Sequence, residues 1–266
     1  MFSHTKDLQF AAKPDGPDAT FAARLQEILG GKWGALTVAH QYLFQGWSCR
    51  LPGKYRDLLL DVGTEELAHV EMICTMIARL LQDAPMSARD AVTDHESAAF
   101  GALNPAHLIH AGGGPLPMDS NGVPWNGSYV TASGNLLADF HLNVTAEAQG
   151  RLQTARLFHM TDDPGVKQML RFLLARDTSH QRIWLSAIEE LRQDGLEDMP
   201  VPDAFPDAVR DRELANGYLP FTADSQAKLG SWAADFETKD PVPRTPAEAP
   251  TLPPGDPRLY DTATTD

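Results

Sequence analysis

Two carboxylate–x–x–His pairs constrain the fold of this sequence more than any other feature. Glu66 and His69 form the first pair, and Asp177 and His180 form the second. Residues at positions i and i+3 share one face of an α-helix. In helical bundles that hold two metal ions, two helices each supply a Glu-x-x-His pair and the other two each supply a lone Glu. With Glu147 as one lone Glu, the sequence predicts a four-helix bundle around a nearly complete dimetal site.

The apolar residues around both pairs strengthen this prediction. Glu66 and His69 fall in a gap of one apolar helical stripe, and Asp177 and His180 fall in a gap of another. A buried carboxylate is costly unless it is paired or bound to a metal. A hydrogen-bonded polar network is the alternative, and we favour a metal site because buried ionisable clusters tend to mark function. The flanking stripe residues are Tyr55, Leu58, Leu59, Val62, Ile73, Ile77, Leu80, Val166, Leu170, Leu173, Trp184, Ile188 and Leu191.

The charge balance argues against two classes of partner. The chain has 266 residues, a formal net charge of -14 and a pI of about 5.0, which argues against nucleic acid and anionic membranes as partners. No apolar run is long enough to span a bilayer, and the N-terminus lacks the pattern of a signal peptide. We therefore expect a cytoplasmic protein. Cys49 and Cys74 fall on predicted helices, so buried free thiols are expected rather than a disulfide.

Hydrophobic periodicity predicts four long helices, at about 20–47, 54–82, 133–160 and 164–193. Gly30-Gly31 predicts an irregularity in the first helix. A connection rich in Gly and Pro, over about 83–130, joins the second helix to the third. So long a link suits a crossover in a ferritin-like bundle better than a simple hairpin.

Both ends of the chain are predicted to be extended arms. Residues 240–257 carry seven prolines, which is typical of an extended segment. We expect residues 1–194 to form the bundle domain with its N-terminal arm, and residues 195–266 to form a C-terminal extension. Because neither arm has hydrophobic periodicity of its own, each should be ordered only by packing on neighbouring subunits. The predicted fold class is all-α: a ferritin-like four-helix bundle with a long crossover connection and two arms.

Four sequence blocks and the end of the chain resemble a known family. The blocks are MFSHTKDLQFAAKPDGPD from Met1, DLLLDVGTEELAHVEM from Asp57, SNGVPWNGSYVTASGNLLADF from Ser120 and RFLLARDTSHQ from Arg171, and the tail is PPGDPRLYD from Pro253. The chain resembles the manganese catalases, which are non-haem dimetal catalases, over nearly its whole length. Residues 195–240 lie outside the matched blocks.

This resemblance implies a reaction, a metal pair and a ligand set. The family disproportionates hydrogen peroxide to water and dioxygen at two manganese ions. Glu66 would bridge both ions and His69 would bind one of them. Glu147 and His180 would bind the other. Iron suits the same carboxylate and histidine ligands, so the sequence leaves iron open as the metal.

The resemblance also implies supporting residues and an assembly. Tyr42 would be a hydrogen-bond partner just outside the ligand set, and the carboxylate at position 177 would handle protons. Family members form homohexamers whose arms wrap neighbouring subunits. Some place calcium between subunits with carboxylates that match Asp57 and Asp61, so calcium at a subunit interface is a further expectation.

Three positions depart from the family at the expected site. The metal-binding Glu of the first helix aligns with Ala35, a basic residue of some members aligns with Ala146, and the proton-handling Glu aligns with Asp177. His40 lies about 140° around the helix from Ala35 and should not replace the missing ligand. His141 and His159 should lie off the ligand face of the third helix, at the surface or behind the ligands.

The departures predict an asymmetric metal pair. One position keeps Glu66, Glu147 and His180, and the other keeps only Glu66 and His69. The Asp177 side chain is one methylene shorter than Glu, so its carboxylate should sit about an ångström farther out and not reach the metals. Unequal metal occupancy and reduced catalase activity are the expected results.

Three functions stay open at this point. The first is a catalase acting at a depleted dimetal site. The second is another dimetal or monometal oxidoreductase, with the Ala35 opening admitting a different substrate. The third is a structural or metal-storing homologue without enzymatic activity.

Overall fold

The protein is helical over the residues described by its computed structural model, which are 4–51, 53–84 and 109–196. Those residues contain no β-strand, and one isolated bridge pairs Met118 with Pro124. All of them belong to one compact unit. The helices are α1 (Ala19–Gly30), α2 (Ala35–Ser48), α3 (Gly53–Leu81), α4 (Leu136–His159) and α5 (Pro164–Gln193), with a short 3₁₀ turn at Gly127–Tyr129.

Side-chain caps fix the start of three helices. Asp18, Asn135 and Asp163 each accept a hydrogen bond from a backbone N–H three residues on, at 2.8, 3.1 and 2.9 Å. Such caps satisfy donors that the first helical turn leaves unpaired. Pro164 stands at the first position of α5, where its missing N–H costs nothing.

The first predicted helix is two helices, α1 and α2, and the prediction of one helix over 20–47 is wrong. The break follows Gly30, which approaches the crossover connection closely. A Cβ at Gly30 would lie 2.4 Å from the Met118 carbonyl oxygen. Gly31 and Gly34 then take extended conformations. The glycine irregularity was visible in the sequence, but the break depends on a segment nearly ninety residues away.

Two apolar clusters lie on either side of a polar layer. One joins α1 to the second half of α3 and the first half of α5. The other joins α2 and most of α4 to the first half of α3 and the second half of α5. Both α3 and α5 therefore pass from one cluster to the other at their centres. Their polar residues, at positions 66–69 and 177–180, lie between the two apolar clusters. The polar gap in each apolar stripe is thus a layer across the bundle.

The described part of the crossover connection docks on α1 and α2 through polar contacts. Gln26 is fully buried and donates to the carbonyl oxygens of Leu116 and Met118, at 2.6 and 2.8 Å. The Trp125 indole N–H donates to the Thr37 hydroxyl at 3.0 Å. A buried polar group needs such partners, so these bonds tie the connection to the helix pair.

The N-terminal arm packs on its own bundle. The Phe10 ring stacks on Phe172, with centroids 4.5 Å apart, and Ala12 is 1% exposed. The Arg79 guanidinium donates to the Ala12 carbonyl at 2.6 Å. The expectation that this arm is ordered only by neighbouring subunits is therefore wrong for residues 4–18. The C-terminal arm lies outside the described residues.

Within the part of the chain that the structure describes, no helix has the length and apolar character needed to cross a membrane. Cys49 and Cys74 are free thiols, as the sequence predicted, but both are half-buried rather than buried.

Candidate metal centre

Three helices bring five predicted side chains together in the polar layer. Helix α3 supplies Glu66 and His69, α4 supplies Glu147, and α5 supplies Asp177 and His180. All but Asp177 are at most 3% exposed. The convergence predicted from helical spacing and apolar stripes is therefore present.

Glu66 lies between the two histidines. Its Oε2 is 3.0 Å from His69 Nδ1, and its Oε1 is 2.8 Å from His180 Nδ1. A carboxylate with each oxygen beside a different imidazole is placed to bridge two ions. In an octahedral site with bonds of about 2.1 Å, neighbouring ligand atoms are about 3 Å apart. The spacing around Glu66 fits a pair of such ions.

Two groups of three potential ligands form among the described residues. One is Glu66, Glu147 and His180, and the other is Glu66, His69 and Asp177; the ligand atoms within each group lie within 4.8 Å of one another. Oxygen and imidazole donors suit manganese or iron, and neither group contains a thiolate. The donor chemistry thus fits the metal pair implied by the sequence.

Asp177 lies closer to the centre than its length suggested. One of its carboxylate oxygens belongs to the same group as the ligand atoms of Glu66 and His69. The sequence-based expectation was that Asp177 could not reach a metal position. It compared only the lengths of Asp and Glu side chains and took the backbone position as fixed. The second position therefore has a nearby carboxylate besides Glu66.

Two aromatic side chains hold Glu147. The Tyr42 hydroxyl donates to Glu147 Oε1 at 2.6 Å, and the Trp184 indole N–H donates to the same oxygen at 3.4 Å. Tyr42 and Trp184 are fully buried and their rings are 4.8 Å apart. Burial, and then the carboxylates of Glu147 and Glu66, raise the pKa of Tyr42 well above its ordinary value. Tyr42 therefore stays a hydrogen-bond donor to this carboxylate.

Crowded carboxylates shift the pKa values of the centre. Burial, followed by Glu66 and Asp177, raises the pKa of Glu147 well above its ordinary value. Burial and then Glu66 raise the pKa of Asp177 to about 7. The pKa of His180 is also raised, to about 9, because Glu66 outweighs the lowering effect of burial, and here the shift favours the charged form. Positive charge, from protons or metal ions, must balance this cluster, and bound cations dominate such sites.

Glu65, which was not predicted, hydrogen-bonds His180 from the side away from Glu66 and lies near His69. Its Oε2 lies 3.0 Å from His180 Nε2, and its Oε1 lies 3.8 Å from His69 Nε2. Arg176 makes two hydrogen bonds to this carboxylate, at 2.6 and 3.0 Å, and the arm residue Gln9 donates a third at 2.8 Å. A carboxylate behind a metal-binding histidine fixes its tautomer and its orientation.

A sequence signal for Glu65 existed. In each carboxylate–x–x–His helix a charged residue directly precedes the pair, and these two residues have opposite charges: Glu65 before Glu66, and Arg176 before Asp177. Glu65 also stands four residues before His69, which places both on one helix face. In the sequence alone, Glu65 and Glu66 look like two adjacent solvent-exposed carboxylates. The role of Glu65 becomes clear only when α3 is seen packed against α5.

Ala35 and Ala146 line a small cavity over the centre. Its volume is about 30 Å³, and a buried water needs about 10–15 Å³ on this measure. The cavity thus holds about two water-sized molecules, and its two alanines stand where the sequence resemblance implies longer side chains. Its wall also contains Ile28, Trp33, Val38, Glu66, His69, Ile73, Glu147, Gly150, Thr154, Leu173 and Asp177.

The dismissed histidines do not approach the centre. The His40 ring lies against Trp125, 5.2 Å between centroids, with Nδ1 2.6 Å from the Leu36 carbonyl. His141 and His159 are exposed. The placement expected for all three is confirmed.

The predicted calcium ligands are separate from the centre. Asp57 and Asp61 are exposed on α3, and neither belongs to a metal-capable group of the described residues. Calcium there would require ligands from elsewhere, so this site stays a prediction that the structure does not support.

Comparisons with known proteins agree with this geometry. The family model described as manganese containing catalase matches residues 1–259. A manganese catalase of Bacillus subtilis is 51% identical over 270 residues, covering 98% of each chain. One of Lactiplantibacillus plantarum is 44% identical over 266 residues, covering 98% of this chain and 99% of that protein. The crystal structure of KatB, a manganese catalase from Anabaena, superposes with a TM-score of 0.71 at 26% identity and covers 90% of this chain and 99% of that one. This chain belongs to the family of manganese-containing catalases.

Proposed function

We propose that this protein disproportionates hydrogen peroxide to water and dioxygen at a pair of manganese ions. The observation that carries the proposal is the position of Glu66, whose two oxygens face His69 and His180 separately. Glu147 completes one of the two positions with His180. Bound manganese supplies the redox chemistry, storing the two electrons that one peroxide gives up and the next receives.

The protein's residues hold the ligands and restrict the substrate. Tyr42 fixes Glu147 by a 2.6 Å hydrogen bond, and Glu65 orients the His180 ring through Nε2. The cavity of about 30 Å³ accommodates a molecule of two oxygen atoms. It leaves no room for an organic substrate of drug-like size, which typically needs about 300 Å³ or more. This size favours peroxide over the larger substrates that the Ala35 opening suggested.

Assembly and metal identity belong to the same proposal. We infer a homo-oligomer, with a hexamer as the expected state and manganese as the resident metal. The family membership supports both inferences. Exposed aromatic residues on α2, Phe44 and Trp47, offer apolar surface of the kind that subunit contacts use.

The experiment loads the purified protein with Mn²⁺ and measures metal per chain and oxygen release from peroxide. The wild-type chain should release oxygen. Glu66→Gln should lose metal at both positions and nearly all activity, because one carboxylate serves both. Glu71→Gln is the matched control, since Glu71 on the same helix pairs with His4 at an exposed site.

Each other outcome selects a different function. Peroxide consumption without oxygen release would indicate a peroxidase-type oxidoreductase that needs an organic reductant. Metal binding without peroxide consumption would indicate metal storage. Equal oxygen release by Glu66→Gln and the wild-type chain would place the chemistry elsewhere and refute the proposal.

A further inference from the structure

Asp177 lies in the wall of the cavity without a hydrogen bond to any described residue. It stands three residues before His180 on α5, so both side chains point from the same helix face towards the centre. Its nearest ligand group contains Glu66 and His69, with all ligand atoms within 4.8 Å. The opposite carboxylate, Glu147, is held by Tyr42 and Trp184, and Asp177 has no such partners.

An ionised carboxylate in this setting is stabilised by nearby positive charge. Asp177 is partly buried and shares the polar layer with the negative charges of Glu66 and Glu147. Removing a charged group from water costs several kcal/mol unless an opposite charge or hydrogen bonds replace the solvent. The described surroundings of Asp177 supply no hydrogen bond, and the positive charge that they offer comes from His69, His180 and Arg151.

Position 35 explains why the second metal position needs another ligand. Ala35 and Asp177 line the same cavity, so the volume that a Glu at position 35 would fill is open to the Asp177 carboxylate. With Asp177, each position would hold the shared Glu66, one further carboxylate and one histidine. The two positions then have the same number and type of protein ligands, in place of the asymmetric pair that the sequence predicted.

We propose that Asp177 is a ligand of the second metal ion, beside Glu66 and His69, and replaces the carboxylate that position 35 lacks. This inference rests on the proposed dimetal function and names the residue that completes it. The resemblance gives position 177 a proton-handling role outside the ligand set. Metal content separates the two roles, because a proton carrier can be removed without losing an ion.

The test measures manganese per chain by mass spectrometry and records the electron paramagnetic resonance spectrum, which distinguishes an isolated Mn²⁺ ion from a coupled pair. The wild-type chain should hold two ions with a coupled spectrum. Asp177→Asn should hold one, with the spectrum of an isolated ion. Asp162→Asn, an exposed residue just before α5, is the matched control and should keep two.

A double variant provides the second arm. Ala35→Glu combined with Asp177→Asn restores a carboxylate to the same cavity from the other side, and should recover the second ion and the coupled spectrum. This recovery would also show that Asp177→Asn folds normally. Ala35→Gln with Asp177→Asn, which restores size without charge, should recover much less.

Three results would overturn the inference. Two coupled ions in Asp177→Asn would make Asp177 a proton carrier or a bystander. A single ion in the wild-type chain would restore the asymmetric centre expected from the sequence. Failure of the double variant to recover the ion lost in Asp177→Asn would place the defect outside the ligand set. Absence of any ion in the wild-type chain would instead refute the proposed function itself.

Discussion

At the residue scale, Glu65 is the side chain that orients His180 by a hydrogen bond and places a second carboxylate near His69. It contacts the Nε2 atoms of His180 and His69 at 3.0 and 3.8 Å, and Arg176 anchors it. The Nδ1 atoms of both rings face Glu66. Glu65 therefore favours the His180 tautomer in which Nε2 carries the proton and Nδ1 is free to bind metal.

Glu65→Gln should weaken manganese binding. A Gln side chain has only one accepting oxygen, so it cannot accept hydrogen bonds from Arg176 and His180 on both sides as the carboxylate does. The His180 ring therefore loses its fixed orientation. Loss of such a supporting group typically costs about tenfold to a hundredfold in metal affinity. Titration against a competing chelator measures the change, with Glu71→Gln as control. Wild-type affinity in Glu65→Gln would show that packing alone positions the histidines.

The residues that could be predicted are those whose signal is local. Glu66, His69 and His180 interrupt apolar stripes at helical spacing, so a single sequence locates them. The role of Glu65 depends on Arg176 in a helix more than a hundred residues away. The reach of Asp177 depends on the placement of α5 against α3, which a comparison of side-chain lengths does not give.

At the element scale, Asp163 joins the start of α5 to the N-terminal arm. Its Oδ1 caps the helix through the Val166 N–H, and its Oδ2 accepts from the Asp15 N–H at 2.8 Å. Gly165 lies beneath the arm, since a Cβ there would stand 1.9 Å from the Lys13 carbonyl oxygen. The arm thus rests on the first turn of α5.

Asp163→Ala should lower the free energy of unfolding by about 1–2 kcal/mol, because it removes a cap and the arm contact together. Urea denaturation measures the loss, and hydrogen exchange of residues 4–18 reports release of the arm. Asp163→Asn retains a capping oxygen but turns an amide towards the Asp15 N–H. It should keep most of the stability while the arm exchanges faster. Equal losses in both variants would contradict the capping role.

The start of α3 is fastened to the end of α5 by Tyr55, whose hydroxyl donates to Asp194 at 2.8 Å. Burial, and then this bond, raise the pKa of Tyr55 from 10.0 to about 12. A folded-state pKa above the unfolded value gives stability that is complete below pH 10 and is lost as the pH rises towards 12.

Tyr55→Phe should therefore flatten the loss of stability between about pH 10 and pH 12. It should also lower stability at neutral pH by about 1 kcal/mol, since a hydrogen bond is lost. Denaturation curves at stepped pH values measure both effects. An unchanged pH slope in Tyr55→Phe would mean that Tyr55 does not link alkaline pH to unfolding.

The helices were predictable because their apolar stripes are long and regular, and α3, α4 and α5 begin and end within three residues of expectation. The break between α1 and α2 could not be predicted, because it depends on the close approach of the Met118 backbone to Gly30. The N-terminal arm was misjudged for a related reason. Its contacts, such as Phe10 on Phe172, follow no period in the sequence.

At the scale of the whole molecule, the exposed aromatic pair on α2 predicts self-association. Phe44 and Trp47 are 48% and 54% exposed, and their rings meet edge to face at 5.1 Å. Light scattering at micromolar concentration should give the mass of a homo-oligomer, with a hexamer expected from the family. A monodisperse monomer would contradict this prediction and leave the aromatic pair without a role.

Disproportionation leaves a signature in the oxygen–oxygen bond of peroxide, which stays intact in the released dioxygen. The manganese-loaded protein is given a mixture of doubly ¹⁸O-labelled and unlabelled hydrogen peroxide, and the released dioxygen is analysed by mass spectrometry. Oxidation of peroxide removes two electrons and two protons and leaves its two oxygen atoms joined. Only unlabelled and doubly labelled dioxygen should therefore form, with one dioxygen released for two peroxides consumed. Mixed-label dioxygen, or peroxide consumed without dioxygen, would contradict disproportionation in this chain.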